Sequence, residues 1–140
     1  MGGTSAGVFH FRSEAAEGCS MLDHITLIIT NYMRAREFYS KALAPLGYHE
    51  VMEFGSAAGF GEATKPDFWI ASGKPGSISH VAFTAKDRDA VDAFYNAAIA
   101  AGGKDNGKPG IRKEYHPNYY GAFVFDPDGH NIEAVCHTPV

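Results

Sequence analysis

Hydrophobic and polar residues alternate along Asp23-His24-Ile25-Thr26-Leu27-Ile28-Ile29. The pattern then changes to the helical spacing Ala35, Phe38, Tyr39, Ala42 and Leu43. The alternation predicts a strand over residues 22–30, with Ile25, Leu27 and Ile29 on one face and His24, Thr26 and Ile28 on the other. The spacing predicts a helix capped by Asn31 and ended by Pro45 and Gly47. Both patterns return 56 residues later. Ser79-His80-Val81-Ala82-Phe83-Thr84-Ala85 alternates in the same phase, and Val91, Phe94, Tyr95, Ala98 and Ile99 form a second stripe, capped by Asp87 and stopped by Gly102-Gly103. An ungapped slide aligns six identities over 25 positions, among them His24 on His80, Phe38-Tyr39 on Phe94-Tyr95 and Gly47 on Gly103. Agreement of alternation, stripe and stop makes this an internal repeat.

Three strands are expected after the first helix, over 48–54, 57–62 and 67–72, separated by Gly, Ser and Pro. Residues 73–77 link to the second copy. After its helix, a polar loop over 105–109 precedes strands over 111–116, 121–125 and 130–137. The last two are joined by Asp126-Pro127-Asp128-Gly129, residue types suited to a tight turn. The chain thus reads as an α+β domain over 21–140, built of two βαβββ modules (21–77 and 78–140). Each helix must cover one face of its sheet, which frees the opposite faces to curl around a cleft. Residues 1–20, rich in Gly, Ala and Ser, are expected to be a flexible or added extension outside the domain. Gly59-Phe60-Gly61 is followed by no helical pattern and is not a dinucleotide loop.

Composition narrows the partners. With 140 residues, 45% hydrophobic, the chain suits one domain. A formal charge of −4 argues against nucleic acid or an anionic membrane as the main partner, although seven histidines soften it below neutral pH. Cys19 and Cys136 lack metal-type spacing and are too few for a disulfide framework, which points to a reducing compartment. No apolar run approaches the ~18 residues of a membrane span, and no secretion signal is visible. A cytoplasmic location is expected.

The chemistry gathers on the faces the helices do not cover. His24 and His80 occupy them by parity, and in the last strand Asn131, Glu133 and Val135 share a face. A Glu amid Ile, Ala, Val and Cys is costly unless it is solvated, paired or bound to a cation. Two imidazoles and one carboxylate form a facial set suited to Fe(II), and also able to hold Mn, Ni or Zn with open positions. A single histidine at a strand start more often makes ordinary hydrogen bonds; the repetition at matched positions weakens that explanation, and the pattern alone leaves both open. Glu114-Tyr115-His116-Pro117-Asn118-Tyr119-Tyr120 offers donors and a group titrating near neutrality. His116 is the first candidate for a general acid or base and Tyr120 the second. The alternative is that Tyr115 and Tyr119 cover the mouth of the cleft while His116 caps a turn. Phe60, Trp69, Tyr119 and Phe123 are candidate pocket residues, and Arg112 with Lys108 a candidate attraction for an anionic substrate. Plain core packing and surface charge are the competing explanations. His49, His130 and His137 receive no role.

The two His-strand-helix-Phe-Tyr units, together with Ala122-Phe123-Val124-Phe125-Asp126-Pro127-Asp128-Gly129-His130-Asn131-Ile132-Glu133, resemble the vicinal oxygen chelate superfamily. That superfamily includes glyoxalase I, extradiol dioxygenases, methylmalonyl-CoA epimerase, fosfomycin-resistance transferases and bleomycin-resistance proteins. The resemblance covers residues 21–137 and implies paired βαβββ modules forming a curved, half-barrel mixed sheet. It places metal ligands on the first and last strand of each module, which here makes His24, His80 and Glu133 the candidates. The fourth family position falls near Trp69 or Ile70, which carry neither carboxylate nor amide, unlike the Glu usual in glyoxalase I-like enzymes. Three-ligand relatives are the Fe(II) dioxygenases and the Mn(II) fosfomycin-type transferases. The resemblance also implies homodimerisation, with the site formed within one chain or across two.

The leading expectation is therefore an enzyme dependent on one divalent metal ion (Fe, Mn, Ni or Zn) and acting on a small molecule with adjacent oxygens. Lyase, isomerase, transferase and dioxygenase chemistry all remain open. The alternative is a metal-free, ligand-sequestering protein of the bleomycin-resistance type, and a dimerising scaffold is a third class.

Overall fold

The computed structural model describes residues 21–140; the extension expected over 1–20 lies outside the described residues. In module one, β1 (Ile25–Ile29) buries Leu27 and Ile29 and exposes Thr26 and Ile28, the parity expected from its alternation. It leads into α1 (Tyr32–Leu43), whose first turn is closed by Asn31: Arg34 N–H donates to the Asn31 side-chain oxygen at 3.2 Å. Ala35, Phe38, Tyr39, Ala42 and Leu43 are completely buried. The helix tightens into a 3-10 turn at Ala44–Leu46 and stops at Gly47, whose φ of 85° lies in the left-handed region where a side chain is strained. Three antiparallel-linked strands follow, β2 (His49–Phe54), β3 (Ala57–Gly61) and β4 (Phe68–Ser72).

Module two repeats the order with β5 (His80–Thr84), α2 (Arg88–Ala100), β6 (Lys104–Ile111), β7 (Tyr120–Phe125) and β8 (Asn131–Cys136). Asp87 caps α2, accepting from Ala90 N–H at 2.8 Å. One expectation fails here. The loop expected over 105–109 is part of β6, and the strand expected over 111–116 is mostly a turn that returns the chain from Arg112 to Tyr119. β6 is an edge strand with register shifts on either side of Gly107, so its Gly- and Pro-containing sequence carries no alternation to read.

Each module is a four-stranded mixed sheet, ordered β1-β4-β3-β2 and β5-β8-β7-β6, with one parallel pair whose crossover contains the helix. The sheets are open, not closed barrels. α1 and α2 contact each other, and the covered faces share one core in which Phe68 of module one meets Phe83 of module two edge-on at 5.1 Å. The two helix-covered faces are thereby turned inward, and the two open sheet faces remain for function.

The turn before β8 joins the modules. Asp126 accepts from the Tyr39 hydroxyl at 2.5 Å. Asp128 accepts from Thr30 N–H at 3.1 Å and from its hydroxyl at 2.5 Å. His130 accepts from Ser79 N–H at 3.0 Å with Nδ1 and donates from Nε2 to the Ile28 carbonyl at 2.9 Å. The turn itself closes through Gly129 N–H on Asp126 O at 2.9 Å, with Gly129 at φ 89°.

Candidate functional site

Register places the chemistry of module two. β5 and β8 run parallel with His80 opposite Asn131 and Ala82 opposite Glu133, so His80 and Glu133 are diagonal neighbours on the open face. His80 Nε2 lies 2.9 Å from Glu133 Oε1. Glu133 is only 2% exposed, while nearly half of the His80 side chain faces solvent. The Asn131 amide donates to His80 Nδ1 at 2.6 Å and accepts from Asn106 at 3.2 Å. That contact leaves the imidazole proton on Nε2, directed at Glu133. The second Glu133 oxygen accepts from the Tyr119 hydroxyl. Burial, and then the adjacent Glu133 carboxylate, push the Tyr119 phenol well above its ordinary pKa. Room for this contact exists because β7 carries Gly121, where a Cβ would sit 3.2 Å from the Tyr119 ring and 3.4 Å from Glu133 Oε2.

Module one holds the matching positions with different residues. Its parallel register pairs Ile25 with Phe68 and Thr26 with Trp69. Comparison with Val81–Ile132 and Ala82–Glu133 puts His24 where His80 stands and Trp69 where Glu133 stands. The position left between Trp69 and Ile70 by sequence is thus Trp69. Its indole lies over Gly59, where a Cβ would be 2.8 Å from the ring. His24 bonds its neighbour Asp23 at 2.7 Å, and that contact, followed by Lys65, lowers the Asp23 carboxyl pKa. His24 and His80 both line a cleft of about 580 Å³ between the edge strands β1 and β5, floored by Phe68 and Phe83. Among the described residues, no three His, Cys, Asp or Glu side chains stand close enough to hold one ion. One chain therefore brings His80 and Glu133 together and leaves His24 apart.

The remaining candidates divide by strand parity. Arg112, Tyr119 and Phe123 are on the open face of module two, and Trp69 is on that of module one. Phe60 is not a lining residue: it is completely buried among Tyr39 and Phe68 on the helix side of β3. Tyr120 also faces the helix, donating to Asp92 of α2 at 2.6 Å, because it is one residue out of phase with Tyr119. That direction takes it away from Glu133 and out of acid or base reach of the open face. His116 is in the turn after Arg112, where it accepts from Asn118 N–H with Nδ1 and approaches His137 Nδ1 at 2.5 Å with Nε2. Lys108 offers the open face its carbonyl, which accepts from Arg112 at 2.6 Å.

Two participants received no role from the sequence. His137 follows Glu133 by four residues and shares its parity, a signal that was available. Asn131 was seen as a polar partner of Glu133, but its grip on His80 depends on the parallel register, which no single strand reveals.

A profile of the glyoxalase/bleomycin resistance protein/dioxygenase superfamily matches residues 21–134. The chain belongs to this superfamily. Within it, a glyoxalase/bleomycin resistance protein from Albidiferax ferrireducens T118 superposes with a TM-score of 0.75 at 28% identity, covering 84% of this chain and 99% of that one. A glyoxalase/bleomycin resistance protein/dioxygenase family enzyme from Burkholderia phytofirmans PsJN gives 0.66 at 18% identity, over 85% and 100% of the two chains. A glyoxalase-related enzyme from Fulvimarina pelagi gives 0.62 at 20% identity, over 84% and 88%. The last two likenesses speak to the superfamily fold alone. No curated protein matches the chain by sequence. No helix among the described residues is long and apolar enough to cross a membrane.

Proposed function

We propose that this superfamily member is a divalent-metal-dependent enzyme that acts, as a homodimer, on a small molecule with adjacent oxygens. The observation that carries the reading is the buried Glu133 carboxylate beside His80. Their 2.9 Å spacing suits two neighbouring donors to one ion, and the buried charge gains a reason to be there. His24 of a second protomer is the third ligand. Its own chain leaves it apart from the pair, and the open face that carries it exposes Ile28, Met52 and Phe54 (45%, 49% and 80%) around Trp69. A second copy buries that apolar face by laying it over the polar face of module two.

An ion of the Fe, Mn, Ni or Zn class supplies Lewis acidity toward the substrate's oxygens when bound. The chain's own residues do the rest. Asn131 and Tyr119 fix the ring of His80 and the carboxylate of Glu133, as outer-shell partners do. Trp69 closes the fourth ligand position with an apolar wall, which disfavours glyoxalase I chemistry of the four-ligand kind. His116, backed by His137, is the residue proposed to move a proton.

The hydrogen-bonded set His80, Glu133 and Tyr119 is also complete without a cation, and this favours the second reading, a metal-free ligand-sequestering protein. Metal analysis of protein purified without chelator separates the two, followed by dioxygen-uptake and glyoxalase assays. The enzyme reading expects about one ion per chain, lost in His80→Ala and Glu133→Gln. Mixing His24→Ala with Glu133→Gln protein should restore one intact site per mixed dimer. Metal-free parent protein would move the sequestering reading ahead.

A further inference from the structure

A cation is held ready on the same open face. Arg112 directly follows β6 and pairs with Tyr119 across the turn, its N–H donating to Tyr119 O at 2.8 Å. This register points the side chain toward the open face, where it folds back along β6. It can do so because the two positions beneath it are glycines. A Cβ on Gly110 would stand 3.0 Å from one guanidinium nitrogen, and a Cβ on Gly107 3.2 Å from the other. The guanidinium then rests over the Phe123 ring, 5.4 Å from its centroid, and Phe123 in turn lies 6.3 Å from the His80 ring. One donor is used, by the Lys108 carbonyl at 2.6 Å. Among the described residues no carboxylate lies within ion-pair distance of Arg112. Glu133, an acidic group on this face, is already engaged by His80 and Tyr119.

A guanidinium stacked on an aromatic ring, carried over glycines, and left with free donors is shaped for a planar oxyanion. We propose that Arg112 binds the carboxylate of a small organic acid, one stacked ring away from His80 and Glu133. The substrate class of the site is accordingly an organic anion and not a neutral carbonyl compound. This rests on the reading above for the identity of the reacting face, and on nothing else in it: the Arg112 subsite needs no metal.

The test uses full-length protein in the presence of a chelator. Acetate, pyruvate and mandelate are titrated, each against its neutral amide, while the Arg112 Nε–Hε signal is followed by nuclear magnetic resonance. The signal is assigned by its disappearance in Arg112→Gln. At least one acid should move that signal with a Kd of about 1 mM or tighter, a few kcal/mol of binding, while the matching amide leaves it in place. By isothermal titration calorimetry, which needs no Arg112 signal, Arg112→Gln should bind that acid about 10- to 100-fold more weakly than the parent, the value of a charge-assisted hydrogen-bonded pair. Arg112→Lys should retain part of the affinity and so separates lost charge from lost packing on Phe123. Acids that leave the signal unmoved, amides that bind as well as acids, or Arg112→Gln protein of parental affinity would each overturn the proposal. Acid binding in a protein that takes up no metal leaves the Arg112 subsite standing and removes only the metal-dependent reading.

Discussion

The hydroxyl of Tyr39 on α1 donates to Asp126, 87 residues away in the turn before β8, at 2.5 Å, and both residues are buried. Burial, and then the negative charge of Asp126, raise the Tyr39 phenol well above its ordinary pKa, so the pair stays a phenol on a carboxylate. Tyr39→Phe leaves one oxygen of a buried carboxylate without its donor. The expected loss is about 1–3 kcal/mol of unfolding free energy, read from urea denaturation at unchanged m-value. A change within error would mean that water replaces the hydroxyl.

Tyr119 holds the second oxygen of Glu133 and is not itself one of the proposed ligands. Tyr119→Phe is expected to keep the fold and to weaken divalent-metal binding by about 10- to 100-fold. Competition with a chromogenic chelator measures this directly. Parental affinity in the variant would show that Glu133 needs no outer partner.

His116 and His137 share one contact, so they should act as a unit. His116→Ala and His137→Ala are each expected to slow turnover, by about 10²–10⁴-fold if the pair moves the proton, while metal content stays parental. The double variant should be no slower than either single one. Additive losses would separate the two histidines.

Alkaline pH probes the phenols. Tyr120 is raised to about 12 by its bond to Asp92 and by burial, and Tyr32 to about 12 by burial and by Glu53. A phenol whose folded pKa is raised contributes stability that is complete below the unfolded value of about 10 and is lost as pH climbs through the folded one. The unfolding midpoint should be level up to about pH 10 and then fall toward 12. The fall should be shallower in Tyr120→Phe, and an equal slope would remove Asp92 as the cause.

Much of this was legible in the chain because two periodicities were clean. The stripe Ala35, Phe38, Tyr39, Ala42, Leu43 is buried throughout, and strand parity alone puts His80 and Glu133 on one face, in agreement with the parallel register of β5 and β8. Parity also explains the failures. Tyr119 and Tyr120 are adjacent, so only one can face the site, and neither carries a local signal of its phase. Phe60 misled for a related reason: aromatic residues suit a pocket wall and a core equally, and its phase is fixed by pairing with Phe68. The position of β6 was hidden because edge strands with bulges have no buried alternation to display. Whether His24 meets His80 is a property of how two sheets are placed, which no local pattern encodes.

The turn over Asp126 to Gly129 has a consequence for what its recognisability means. Its carboxylates grip Tyr39 and Thr30, and the next residue, His130, holds Ile28, so all three reach into the other half of the molecule. The residues that identify this chain most readily are a fastener between halves, and that fastener ends three residues before Glu133. Such a signature certifies that the two halves are joined and stays silent on the reaction they serve. Substrate information is to be sought instead in the unremarkable segment from Gly107 to Tyr119.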